Sequence, residues 1–397
     1  MIRAIPKDIE EQSEFNDEYS HKFNRLWLRL FWLYGLELNN VEGNQLPMWR
    51  KRAIILLPRL LSVLIIVRQV ILTIRLQRYE IFVLFFPATL FHGISIITVL
   101  VLHKREEKFS TLFKILSELT LKSSDNVKRT GRYIYIALFV NATFTAAYFI
   151  CNCITITAYA HKFLATNLLM QTEFNYFLLR VYLFAETTFN TIFRQFFLYI
   201  TLIYFSNICK LLSLASEALN YDMERAFVSK SELTNAKLNE FRRRYQDLTR
   251  LAEKISEIFS PILLVWLLSF ILVFCLRIRS FKMFHELVVG LQFYYAIDAC
   301  YLLFGIILIF QNSSQFHSQI SNLKGKISQI MITNDDDKFG AFVNKECIST
   351  NCLLFSLSLI ADNNVGINVS GLFLLSAFSF LTMVSTVMTY VILVYQS

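Results

Sequence analysis

From Leu372 to Tyr395 the chain runs for 24 residues without a charged side chain. At ~1.5 Å of rise per residue the run makes ~36 Å of helix, enough to cross a ~30 Å hydrocarbon core. Inside lipid every backbone N–H and C=O must be paired within the segment, so a helix is the form such a run takes. Its polar residues are ordered: Ser376, Ser379, Thr382, Thr386, Thr389, Leu393 and Gln396 follow one another at steps of three and four, which puts them on one face. Such hydroxyls can bond back to their own helix carbonyls and let neighbouring helices approach closely. They can also face water in a pore made by several copies of the helix. The lining would then be Ser379, Thr382, Thr386, Thr389, Leu393 and Gln396, with Leu393 and Gln396 at the mouth.

Further apolar runs precede this one. With 55% hydrophobic residues, a mean hydropathy of +0.46 and only 10 Gly and 5 Pro in 397 residues, the chain is too apolar and too poor in loops for a soluble protein. Spans are expected at about 53–76, 81–103, 133–158, 176–206, 260–281, 287–311 and 372–396. The fold class is therefore all-α, a polytopic membrane protein with seven transmembrane helices. Residues 26–36 are aromatic and apolar but too short to cross, and suit an interfacial helix. The first 20 residues lack a basic start followed by an apolar run, so no cleaved signal peptide is expected.

Lysine and arginine set the orientation. The segments before the first span and after the second, fourth and sixth carry 29 of the 39; the alternate loops carry 6, namely Arg75, Arg78, Lys162, Arg277, Arg279 and Lys282. The rest, Arg59, Arg68, Arg180 and Arg194, lie inside spans. By the positive-inside rule the N-terminus is cytoplasmic and the C-terminus extracellular. Of the sequons at Asn141, Asn312 and Asn368, none falls in an outer loop. The basic balance of +9 is thus explained by anionic lipid beside the spans, and nucleic acid is not an expected partner.

The expected divisions are a cytoplasmic segment 1–52, spans one to four in 53–206, a cytoplasmic amphipathic helix in 207–259, spans five and six in 260–311, a cytoplasmic loop and helix in 312–371, and the last span in 372–397. In the third of these, Phe241, Tyr245, Leu248, Ala252, Ile255, Phe259 and Ile262 recur at steps of four and three among charged residues, predicting one long helix that runs into the fifth span. A shorter helix is expected over 339–361, broken by Asn363, Asn364 and Gly366.

The chain closes with Thr389, Tyr390, five apolar residues and Gln396, which resembles the signature of insect gustatory receptors. Ser397 stands where that family usually has Phe. The resemblance implies a ligand-gated, non-selective cation channel that detects a small-molecule tastant. It also implies a homotetramer, or a heterotetramer with other gustatory receptors, in the plasma membrane of chemosensory neuron dendrites. In that family the cytoplasmic ends of the last four spans pack into an anchor between subunits, a role the stripe at 241–262 would suit. The alternatives are a seven-span metabotropic chemoreceptor, which the orientation and the missing Asp-Arg-Tyr and Asn-Pro-x-x-Tyr motifs oppose, and a small-molecule transporter, for which internal repeats are missing.

Ionisable residues within a membrane are costly, which makes each a candidate site. Glu186, Asn190 and Arg194 share one face of the fourth span, and Tyr294, Tyr295 and Asp298 cluster in the outer half of the sixth. With Tyr148, Tyr159, Tyr182, Trp266 and Gln292 they offer aromatic walls and a few polar groups. The expected ligand-binding set is Tyr182, Glu186, Asn190, Trp266, Gln292, Tyr294, Tyr295 and Asp298. Pairing of Glu186 and Asp298 with Arg180 or Arg194 would instead hold the bundle together. The six histidines and seven cysteines show no metal-ligand spacing, and there is no GxSxG elbow and no Gly-rich phosphate loop. No catalytic residues, metal or cofactor are expected, and the protein is not expected to be an enzyme.

Overall fold

A computed structural model of the chain describes residues 25–34, 36, 48–76, 79–109, 111, 112, 115, 124–167, 176–228, 235–283, 289–333 and 365–396. The expected helix at 339–361 lies outside them. In order, the elements are α1 (25–32), α2 (Met48–Leu76), α3 (Tyr79–Lys104), α4 (Ser124–Asn167), α5 (Tyr176–Asn190), a π-helical turn (Thr191–Phe196), α6 (Phe197–Val228), α7 (Asn235–Met283), α8 (Val289–Thr333), a two-stranded hairpin (β1, Asn368–Val369; β2, Phe373–Leu374) and α9 (Ala377–Gln396). Among the described residues six helical stretches are long and apolar enough to cross a membrane, and α9 adds a seventh of 20 residues, or ~30 Å. This is the seven-span, all-helical membrane architecture that the hydropathy predicts.

The fourth span is the axis of the bundle. From Phe197 to Cys209 every residue of α6 is buried, and its largest interface is with α8. Polar pairs that lipid could not satisfy help to join α6 to α8. Asn312 Nδ2 donates to the Ser206 carbonyl at 3.1 Å, and Tyr199 Oη donates to the Tyr301 carbonyl at 2.6 Å, with the two tyrosine rings stacked 3.7 Å apart. Gly305 lies under Phe270 and Tyr199. A Cβ there would sit 2.9 Å from the Phe270 ring, so the close approach of α8 to α6 and α7 requires a glycine.

Several elements differ from the expectation. The helix at 25–32 is not merely interfacial: Trp27, Phe31 and Tyr34 are buried against Tyr204, Phe109 and Phe197, while Trp32 and Leu33 face outward. The 241–262 stripe is on one helix continuous with the fifth span, α7, 49 residues long. All seven stripe residues are buried within their own chain. The last span starts at Ala377 rather than Leu372, because 368–374 folds back as a hairpin with Ser370 and Gly371 at positive φ (51° and 75°). The hairpin is fastened to α7: the Asn368 amide donates to Ser256 Oγ at 3.0 Å, and the Ser370 amide donates to Ser260 Oγ.

Candidate functional site

The continuous fourth rod changes pitch at Thr191–Phe196, where a π turn takes up one extra residue and rotates α6 relative to α5. Hydroxyls from two other elements bond its carbonyls, Tyr34 Oη to Ile192 O at 3.2 Å and Ser95 Oγ to Phe193 O at 3.0 Å. The turn sets Arg194 and Gln195 inward, both buried. There Arg194 Nη2 donates to Tyr148 Oη at 3.1 Å and Nη1 reaches Ala88 O at 3.4 Å.

Opposite stands a buried ion pair between α7 and α8. Arg277 Nε donates to Asp298 Oδ2 at 2.5 Å with both side chains 4% exposed, and the guanidinium lies over the Tyr295 ring at 4.9 Å and the Tyr294 ring at 5.6 Å. Tyr294 and Tyr148 hydroxyls close the ring of contacts at 2.8 Å. Between these groups is a small cavity lined by Pro87, Ala88, Phe91, Tyr148, Arg194, Gln195, Tyr199, Arg277, Asp298 and Leu302. About 20 Å³ of it is open to the centre of a water molecule, room for about one water.

The structure thus joins Tyr294, Tyr295 and Asp298 with Tyr148 and Arg194. It sets Tyr182 and Glu186 in a second cluster, where Arg68 of α2 grips Glu186 through both nitrogens at 2.5 and 2.7 Å and also donates to Tyr182 Oη at 2.7 Å. Glu186 and Asp298 are therefore paired with Arg68 and Arg277, not with Arg180 or Arg194. Asn190 is half-buried one turn from Glu186. Trp266 is fully buried and donates to Thr98 Oγ1 at 3.0 Å, away from the cavity lining; Gln292 also lies off that lining. The side chain of Tyr159 is outside the described residues. Arg277, expected in a loop, belongs to α7 and is buried. Its position within the span expected at 260–281 was the signal for it. Gln195 and Tyr199 carried no such signal, since their inward aim depends on the π turn.

On α9, Phe380, Met383, Val387, Tyr390 and Val391 form the half-buried face toward the chain's own bundle, with Phe380 packed on Phe310. Thr382, Thr386, Thr389, Leu393 and Gln396 lie on the opposite face and are exposed; Ser379, at its edge, forms a reciprocal cap with Ser376, its amide donating to Ser376 Oγ at 3.2 Å and the Ser376 amide donating to Ser379 Oγ at 2.9 Å. Thr382, Thr386 and Thr389 each donate to the carbonyl four residues back, at 2.9 to 3.0 Å. Their donors are thereby satisfied, while lone pairs remain free on the outward side.

No protein-family model matches the sequence, and no curated protein does. Among solved structures the fold is similar to that of the insect olfactory receptor OR5 from Machilis hrabei, with a TM-score of 0.75, 13% identity, and coverage of 96% of this chain and 99% of that one. The same receptor in complex with eugenol matches with a TM-score of 0.74 at 12% identity, covering 97% and 99%. The likeness extends over the whole length and lies in the fold.

Proposed function

We propose that the protein is a chemoreceptor of the insect gustatory type: a ligand-gated, non-selective cation channel, built from four copies, that detects a small-molecule tastant. The observation that carries this reading is the face of α9. Among the described residues its hydroxylic stripe points away from the chain's own bundle, toward lipid, water or another copy. A stripe of exposed threonines suits a wet axis shared by copies better than it suits hydrocarbon. The end-to-end likeness to an olfactory receptor and the terminal Thr389, Tyr390 and Gln396 support the same conclusion. By the distribution of basic residues the N-terminus is cytoplasmic and the mouth at Leu393 and Gln396 extracellular. Placement is in the plasma membrane of chemosensory neuron dendrites.

By analogy with the neighbour solved with eugenol, the ligand is a small organic molecule taken by the outer halves of the spans, at the cluster of Tyr148, Arg194, Tyr294, Tyr295 and Asp298. Its entry would displace α7 and α8 against the π turn. Both α7 and α8 touch α9, which gives the motion a path to the pore.

The test is current in outside-out patches from cells expressing this chain alone, across sugars, bitter compounds and small volatiles with G-protein signalling blocked. Ligand-evoked cation current is expected. A response that requires G-protein signalling would make the protein a metabotropic receptor instead.

A further inference from the structure

The charges around the cavity do not balance. Two guanidinium groups, Arg194 and Arg277, line it with one carboxylate, Asp298, and Arg277 already holds that carboxylate. Arg194 is 5% exposed, donates to two neutral oxygens, and has no hydrogen-bond partner at Nε. Nη1 of Arg277 is likewise unpartnered. Among the described residues no carboxylate forms an ion pair with Arg194. An uncompensated cation this deep in a bundle is costly, and an anion beside it would relieve that cost.

The shape of the donors narrows the anion. A guanidinium fork favours a planar, two-oxygen acceptor over a spherical ion. The remaining wall, Pro87, Ala88, Phe91 and Leu302, is apolar and would receive a short alkyl group; the cavity has room for about one water as it stands, so a ligand of a few heavy atoms enters with the displacement of α7 and α8 described above. We infer that the cavity binds a small organic carboxylate, its oxygens meeting Arg194 and the free nitrogen of Arg277. The inference rests on the reading of this region as the receptor's ligand site, and names the chemical class of the ligand.

Sodium acetate is the probe, and acetamide, nearly the same shape without the charge, is its control. The full-length protein in detergent is melted during titration with each at neutral pH, starting from a sodium sulfate buffer, with chloride titrated in parallel. Acetate is expected to raise the melting temperature saturably by a few degrees, with acetamide and chloride giving no saturable rise. Arg194→Gln should lose the acetate effect, and Arg250→Gln, on an exposed side chain of α7, should keep it. Equal shifts with acetate and acetamide, a chloride shift as large as the acetate one, or an acetate shift retained in Arg194→Gln would overturn the proposal. If Arg194→Gln does not fold, the three wild-type titrations decide it. A lost acetate effect with current still evoked by neutral compounds removes the carboxylate and leaves the receptor. An acetate effect without any ligand-evoked current does the reverse.

Discussion

Asp298 and Arg277 pair with one another deep in the bundle, each side chain 4% exposed, so truncating either strips the other of its ion-pair partner. Asp298→Ala is expected to cost ~3–5 kcal/mol and to lower surface protein, while Arg277→Met with Asp298→Leu, which removes both charges, should recover most of the loss. Melting temperature in detergent and surface labelling of wild type and the two variants check this; an Asp298→Ala protein as stable as wild type would show that the pair is not buried as described. Glu186 and Asp298 stood out in the sequence because a carboxylate in an apolar run is expensive whatever surrounds it. Which arginine each one pairs with did not. Arg68 is 118 residues from Glu186 and Arg277 is 21 from Asp298, and which helices face one another is decided by packing that no local spacing encodes.

At the level of elements, the spans were legible because ~20 apolar residues need a membrane regardless of their neighbours. The π turn and the hairpin before α9 were not, because each is held by groups from elsewhere: Tyr34 and Ser95 in one case, Ser256 and Ser260 in the other. Tyr34→Phe and Ser95→Ala should each cost ~1 kcal/mol, the worth of one hydrogen bond. Because the π turn aims Arg194, both should also shift the ligand dose-response; a lower melting point with an unmoved dose-response would mean that the turn does not set the site. On α9, Leu393 is the bulky apolar group of the outward stripe and is 59% exposed in the single chain. Four such leucines at one level would close a wet path by expelling water. Leu393→Ala should therefore raise unliganded current. Ile392→Ala, at 52% exposure but off the stripe, should change it little. Equal effects at the two positions would argue against a leucine gate.

For the whole molecule, orientation and assembly decide what the stripe can do. The excess of basic residues in alternate segments predicts that a tag after Ser397 is stained on intact cells and that one before Met1 requires permeabilisation. The opposite staining would put the proposed mouth in the cytoplasm. The spans made the seven-helix fold readable from the sequence, but not which face of the last helix is free. That depended on seeing Phe380, Met383 and Val387 turned toward the chain's own bundle. The stripe and the neighbouring apolar face of α9 are both exposed in one chain, and only a shared pore makes them differ. Thr386→Cys and Thr389→Cys on the stripe are therefore compared with Met388→Cys and Ile392→Cys, at 54% and 52% exposure in the native chain, during ligand-evoked current under a water-soluble methanethiosulfonate reagent. Rapid, irreversible block at the two stripe positions, with none at the other two, is the predicted result. Block at all four positions alike, or at none, would contradict a conduction path lined by this face.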